Sequence, residues 1–304
     1  MRDAIGKIGK LSLLSTLLIS TGVLADEADV FNLYASAAYT YDSNLFRLAD
    51  GVDPTPLVGK SDRSDNVLGL TAGVVINQPI SQQRIKLDAS VNHNAYANYG
   101  FLDYDALQYN GTWFWHLTPR ISGIASMASS ESLVGFDRKS DYAKTVRTKD
   151  NNRFEADYWL TGSWHALAGY VQDKQSDTSV VLQENAFNLK GWSAGARYDP
   201  GSGRTLELRY LKRDGEYANT KASFDQDEFE ARLIYPFNDK TRMAATVARV
   251  DRSHPNNPAR DYSGWRGKLG LDWLATGKVG LNAEYSRRLE SWQDVYSSYY
   301  TSDS

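Results

Sequence analysis

Charged side chains recur at every second position through much of this chain, and that spacing limits the chemistry they can do. Arg84, Lys86 and Asp88 alternate with Ile85, Leu87 and Ala89. Arg153, Glu155 and Asp157 alternate with Phe154, Ala156 and Tyr158, and the rule returns at Glu207, Arg209, Glu228, Glu230, Arg232, Arg266, Lys268, Asp272, Glu284 and Arg288. A period of two puts all of these on one face of extended strands. Such a face suits two kinds of chemistry. Opposite charges on neighbouring strands can tie a wet interior together. Alternatively, some of them line a path for a sugar chain, with Trp159 or Tyr96 offering a flat face to pyranose rings. The binding candidates are therefore Arg84, Lys86, Asp88, Tyr96, Arg153, Asp157, Trp159, Arg209, Arg232, Arg266 and Lys268. Mixed charge, with neither sign dominant, fits a bulky polyhydroxylated ligand better than selection for one ion.

Catalytic groupings are not expected. The four histidines, His93, His116, His165 and His254, form no H-E-x-x-H site, and no G-x-S-x-G elbow occurs. His93 beside Asn94 invites comparison with lipases that work on a lipid-facing wall, but a polar residue at a strand end accounts for it. The chain has no cysteine, so thiol catalysis, thiolate metal sites and disulfides are excluded. Asp225, Asp227 and Glu228 could bind Ca²⁺, yet their spacing reads as a solvated loop end. No catalytic residue, metal or cofactor is expected.

The elements that carry these faces are long strands. The clearest is Gln83 to Tyr99, with Ile85, Leu87, Ala89, Val91, Ala95, Ala97 and Tyr99 on the apolar face and His93 as its one phase error. That is too long for an ordinary globular strand. It suits a wall between lipid and water, one stave of a transmembrane β-barrel. The remaining apolar faces repeat the pattern, from Leu33 to Tyr41 through to Val279 to Tyr285, giving about 13 strands with Tyr299-Tyr300 starting another. Short turns at Gln78–Ser81, Thr118–Arg120, Asp199–Gly203, Pro236–Asp239 and Ala275–Gly277 alternate with long polar excursions at 42–65, 133–150, 172–184, 214–225 and 253–261. Trp113, Trp115, Trp164, Tyr198, Tyr235 and Trp273 lie beside the short turns, where an interfacial girdle would place them. The fold class expected is all-β, an antiparallel up-and-down barrel. An odd strand count and an ending on Ser302-Asp303-Ser304 suggest a chain truncated from a larger, even-numbered barrel.

The first 25 residues give an address. Arg2, Lys7 and Lys10 precede the largely apolar Leu11–Leu24, and Val23-Leu24-Ala25 ends in a small residue before Asp26. This is the pattern of a secretory signal peptide, leaving residues 26–304 as the barrel. No later apolar run approaches the ~18 residues that a membrane helix needs. Without residues 1–25 the formal net charge moves from −3 to about −5, which does not suggest a nucleic-acid binder. Export and alternation together place the protein in the outer membrane of a Gram-negative bacterium.

A family resemblance becomes specific at Tyr41-Asp42-Ser43-Asn44-Leu45-Phe46-Arg47-Leu48. With Asp157-Tyr158-Trp159-Leu160-Thr161-Gly162-Ser163-Trp164-His165, Asp214-Gly215-Glu216-Tyr217 and Ala275-Thr276-Gly277-Lys278, the chain resembles the EpsL-type outer-membrane proteins of exosortase-associated exopolysaccharide operons. The resemblance runs from about Tyr41 to Asp294. It implies a role in making or exporting a surface polysaccharide, with periplasmic and inner-membrane synthesis or export proteins as partners. It transfers no catalytic residue. Family members continue beyond the point where this chain stops. A general or sugar-uptake porin and a plugged assembly component remain as alternatives to an exit channel. Asp42 and Asn44 are expected to make a turn by bonding nearby backbone amides.

Overall fold

The computed structural model describes residues 14–20, 30–137, 141–179, 186–276, 278–291 and 299–303. Several features of the sequence reading lie outside them: Arg2, Lys7 and Lys10, the Val23-Leu24-Ala25 boundary, parts of the 133–150 and 172–184 excursions, Gly277, Asp294 and Ser304.

Alternating side chains dictate strands, and strands fill the molecule. They are β1 (Leu14–Ser20), β2 (Phe31–Asp42), β3 (Asp65–Ile80), β4 (Gln83–Tyr96), β5 (Tyr104–Thr118), β6 (Ile121–Leu133), β7 (Val146–Thr161), β8 (Trp164–Asp177), β9 (Phe187–Tyr198), β10 (Thr205–Tyr217), β11 (Phe224–Asn238), β12 (Thr241–Ser253), β13 (Tyr262–Leu274), β14 (Gly280–Ser291) and β15 (Tyr299–Asp303). All fifteen form one sheet in sequence order, each antiparallel to the next. From Phe31 onward this gives the thirteen strands read from the sequence plus the one expected to start at Tyr299. Among the described residues β1 and β15 do not pair with each other, so the sheet is open.

Three differences from the sequence reading have physical causes. First, the stretch read as a leader contributes β1, whose Leu14–Ser20 pairs with Ser36–Asp42. An apolar segment satisfies the N–H and C=O groups that the edge of β2 would otherwise expose. Second, strands run further into the polar excursions than apolar alternation suggests. β8 reaches Asp177, β10 reaches Tyr217 and β7 begins at Val146. Here both faces are polar, so periodicity fades, while cross-strand pairs such as Arg147–Asp177 at 2.7 Å hold the ladder. Third, β4 stops at Tyr96, so Ala97 and Tyr99 do not continue its apolar face. The buried Asp65 carboxylate accepts the N–H groups of Asn98 (2.8 Å) and Tyr99 (3.0 Å) and turns the chain inward.

The turned-in residues build the main apolar core. Leu45, Phe46 and Leu48 from the β2–β3 connection meet Tyr99 and Leu102 from β4–β5 and Phe136 from β6–β7. The Phe46 ring lies 4.7 Å from both Tyr99 and Phe136. Asp42 and Asn44 form the turn as expected: Asp42 accepts the Asn44 N–H at 3.0 Å and Asn44 accepts the Leu48 N–H at 3.0 Å. Asp42 also takes two bonds from Arg47, at 2.9 and 2.8 Å, which hold Arg47 at φ 55. A short helix, α1 (Thr55–Val58), lends Val58 to this cluster. Tyr96, on the polar face of β4, packs beneath it, so the loops sit over that face at its loop end.

Candidate functional site

Cross-strand partners share a face, so the registers fix which side chains lie together. The row Glu207–Arg232–Thr246–Lys268–Ser286 runs across β10 to β14 on the polar face. Side chains of this face from β2 (Tyr34) to β12 (Arg252) line one cavity of about 700 Å³. Strands ten apart in the sheet can meet only if the polar face is the concave one. The opposite face carries exposed Leu33, Leu70, Val91, Trp113, Leu208, Phe229, Val247 and Leu281.

Aromatics on the outward face occur at two levels. Near the short turns lie Trp113, Tyr158, Trp164, Tyr198, Tyr235 and Trp273, and towards the loops lie Tyr170, Trp192, Tyr210, Phe229 and Trp265. Within β8, β9 and β11 the levels are six residues apart, roughly 20 Å along a strand. The second level went unread because it lies beside charged residues such as Lys190 and Lys212. Trp115 departs from the expected girdle: its indole lies flat over Gly123, stacked 5.6 Å from Phe154, and is buried.

The binding candidates do not converge on one point. At the short-turn end, Arg84 donates to Asn77 at 2.7 Å and Lys86 sits 5.7 Å over the Phe114 ring. Trp159 donates to the Gly162 carbonyl at 2.8 Å with Arg120 over its ring at 5.7 Å. Asp157 accepts from His165 at 2.6 Å and from Arg197. Asp88 accepts the Tyr34 hydroxyl at 2.9 Å in the cavity, and Tyr96 is at the far end under the loops. In mid-wall, Arg153 (2.7 Å) and Arg209 (3.0 Å) share Glu155, and Arg209 also binds Glu207. Arg232, Arg266 and Lys268 lie close together further round the sheet.

Glu228 overturns its reading as part of a solvated loop end. Asp225 and Asp227 face outward, whereas Glu228 is fully buried in the interior. Its carboxylate receives Arg266 and Gln226 (3.0 Å), with Arg213 at 3.8 Å, and Arg266 also binds Glu230 at 2.9 Å. Among the described residues no cluster of three or more His, Cys, Asp or Glu is arranged to hold a metal.

Sequence reasoning also missed an aromatic patch inside the cavity. Phe187 lies 5.3 Å from Tyr217, Tyr217 is 6.2 Å from Phe224, and Arg252 stacks 3.9 Å over Phe224. These residues belong to strand ends that resemble loop in sequence. Counting by two from Arg209 would have reached Arg213 and then Tyr217. Beyond it, burial pushes the ordinary pKa of His254 down to about 4, helped by the charges of Arg260 and Arg252.

No protein-family model matches the chain, and no curated protein matches it. No helix among the described residues is long and apolar enough to cross a membrane.

Proposed function

We propose that the chain forms the wall of a β-barrel in the outer membrane of a Gram-negative bacterium and takes part in exopolysaccharide export, as the channel through which the polymer leaves the cell. One observation carries this reading: apolar side chains, bracketed by two levels of aromatics, cover the convex face, while charged and amide side chains line the concave one. Lipid on one side and water on the other demand that division. In this reading the free edges of the sheet are joined, directly or through further strands, since a membrane wall has no open edge. The EpsL-type resemblance supplies the cargo and implies periplasmic and inner-membrane partners. The wet, mixed-charge interior and the aromatics inside it suit a polyhydroxylated chain.

The loop cluster around Phe46 and Tyr99 favours a second reading, a plugged component that helps assemble the polysaccharide machinery. Full-length protein reconstituted in planar lipid bilayers separates the two. Stepwise ion conductance is the expected result. A barrel that inserts but passes no current would contradict the exit channel and leave the assembly role.

A further inference from the structure

Resting on that reading, the recess beside Glu228 bears on what kind of polymer the interior handles. It measures about 390 Å³ and is lined by Arg213, Arg252, Arg266, Lys268 and Arg288, with Glu228 and Gln226 at its base. Arg287 also borders it but pairs with Asp303 at 2.7 Å. The carboxylates bound to this group are Glu228, Glu230 and Glu284, the last 2.9 Å from Lys268. Among the described residues, the four cations other than Arg252, which is shared with the larger cavity, therefore meet three carboxylates. The surplus lies within a wall of low dielectric, which focuses positive potential into the recess. Elsewhere in the interior the balance is closer: Asp88 and Asp173 face Lys149 and Arg252 in the larger cavity.

Geometry adds direction to the charge. Arg252 is common to both spaces, bonding Gln226 at 2.8 Å and stacking on Phe224. Phe224 is buried beneath that guanidinium, so the rings open to the cavity are Phe187 and Tyr217, which adjoin the basic recess through Arg252. Flat rings suit the C–H faces of pyranoses. Guanidinium groups suit a planar carboxylate, which they can bind through two parallel hydrogen bonds. We propose that this stretch of the interior is a binding subsite for acidic sugars, uronate residues whose rings rest on Phe187 and Tyr217 and whose carboxylates enter the Arg213–Arg266–Arg288 recess.

Isothermal titration of the full-length protein in detergent tests this with tetragalacturonate, the neutral control being maltotetraose. The acidic tetramer is expected to bind about tenfold more tightly than the neutral one, with the difference shrinking between about 0.05 M and about 0.5 M salt. The double variant K268Q/R288Q leaves the partners of buried Glu228 in place. It should weaken tetragalacturonate about tenfold and leave maltotetraose unchanged, with circular dichroism confirming the fold. Equal affinities, absent binding of the acidic tetramer, or an unaffected double variant would each overturn the subsite. Binding does not require conduction, so the outcomes separate. Acidic-sugar binding with no effect of gene loss on secretion keeps the site and removes the export reading, and the reverse removes the site alone.

Discussion

At the residue scale the interior is governed by buried charge. Glu228 is fully enclosed, and its carboxylate accounts for contacts from Gln226, Arg213 and Arg266. Glu228→Gln keeps the shape but removes the counter-charge of the partly exposed Arg213 and Arg266, of which Arg266 keeps Glu230. With solvent screening the arginines, such a change costs about 1–2 kcal/mol. Unfolding in denaturant should show that loss, and a double-mutant cycle with Arg266→Gln should be strongly non-additive. His254 makes a second prediction, through pH. Its pKa falls from 6.5 to about 4 on folding, because burial first, then Arg260 and Arg252, disfavour the charged ring. Between those values the unfolded chain binds the proton and the folded chain does not. Stability contributed by the neutral ring is therefore complete above about pH 6.5 and is lost progressively as pH falls towards about 4. Denaturation midpoints at pH 7.5 and pH 5 should differ in that direction, and His254→Asn should flatten the dependence. The role of His254 was not legible in sequence, and that of Glu228 only in part. Phase placed Glu228 on the inward face with Glu230 and Arg232, although its place after Asp225 and Asp227 also resembled a loop end; its burial and its bonds to Arg266 and Gln226 needed the structure.

At the element scale the strands were legible wherever one face was apolar. Ile85, Leu87 and Ala89 set β4 against Arg84, Lys86 and Asp88, and the short turns marked where each strand ended. The reading failed where that contrast vanished. Arg147, Asp177 and Tyr217 sit on strands whose outer ends are polar on both faces, so nothing periodic distinguishes them from loop. It failed also at Tyr99, where parity is right but Asp65 redirects the backbone. Packing between elements yields a prediction that periodicity could not. A Cβ on Gly123 would run into the Trp115 indole and the Glu155 carbonyl of the next strand. Gly123→Ala should cost about 1–3 kcal/mol and shift the near-ultraviolet circular dichroism of Trp115. Gly267, on another interior strand, meets only one backbone oxygen, at 3.2 Å, so Gly267→Ala serves as a milder comparison.

For the whole molecule, the division into two faces is the property that decides function. Trp192 and Trp265 are half exposed on the convex face, whereas Trp159 lies on the concave face at the turn end. In vesicles containing brominated phospholipid, a variant retaining Trp192 alone should be strongly quenched and one retaining Trp159 alone should not. Equal quenching would mean that the faces are assigned wrongly. A one-residue slip would exchange them throughout a strand, so the comparison decides the assignment of Arg153, Asp157 and Trp159 on β7 and of the outward face of β9. The architecture was open to sequence reading because alternation is a global signal, repeated in strand after strand. The interior subsite was not, because it draws on Phe187, Arg213, Tyr217, Arg252 and Arg288, positions far apart in sequence that only the strand order and registers bring to one part of the face. Export itself is tested most directly in the source bacterium. The gene is deleted and then restored, and polysaccharide is measured outside the cell and in the periplasm. The exit-channel account predicts loss outside with accumulation inside, both reversed on restoration. Unchanged secretion in the deletion strain would contradict it.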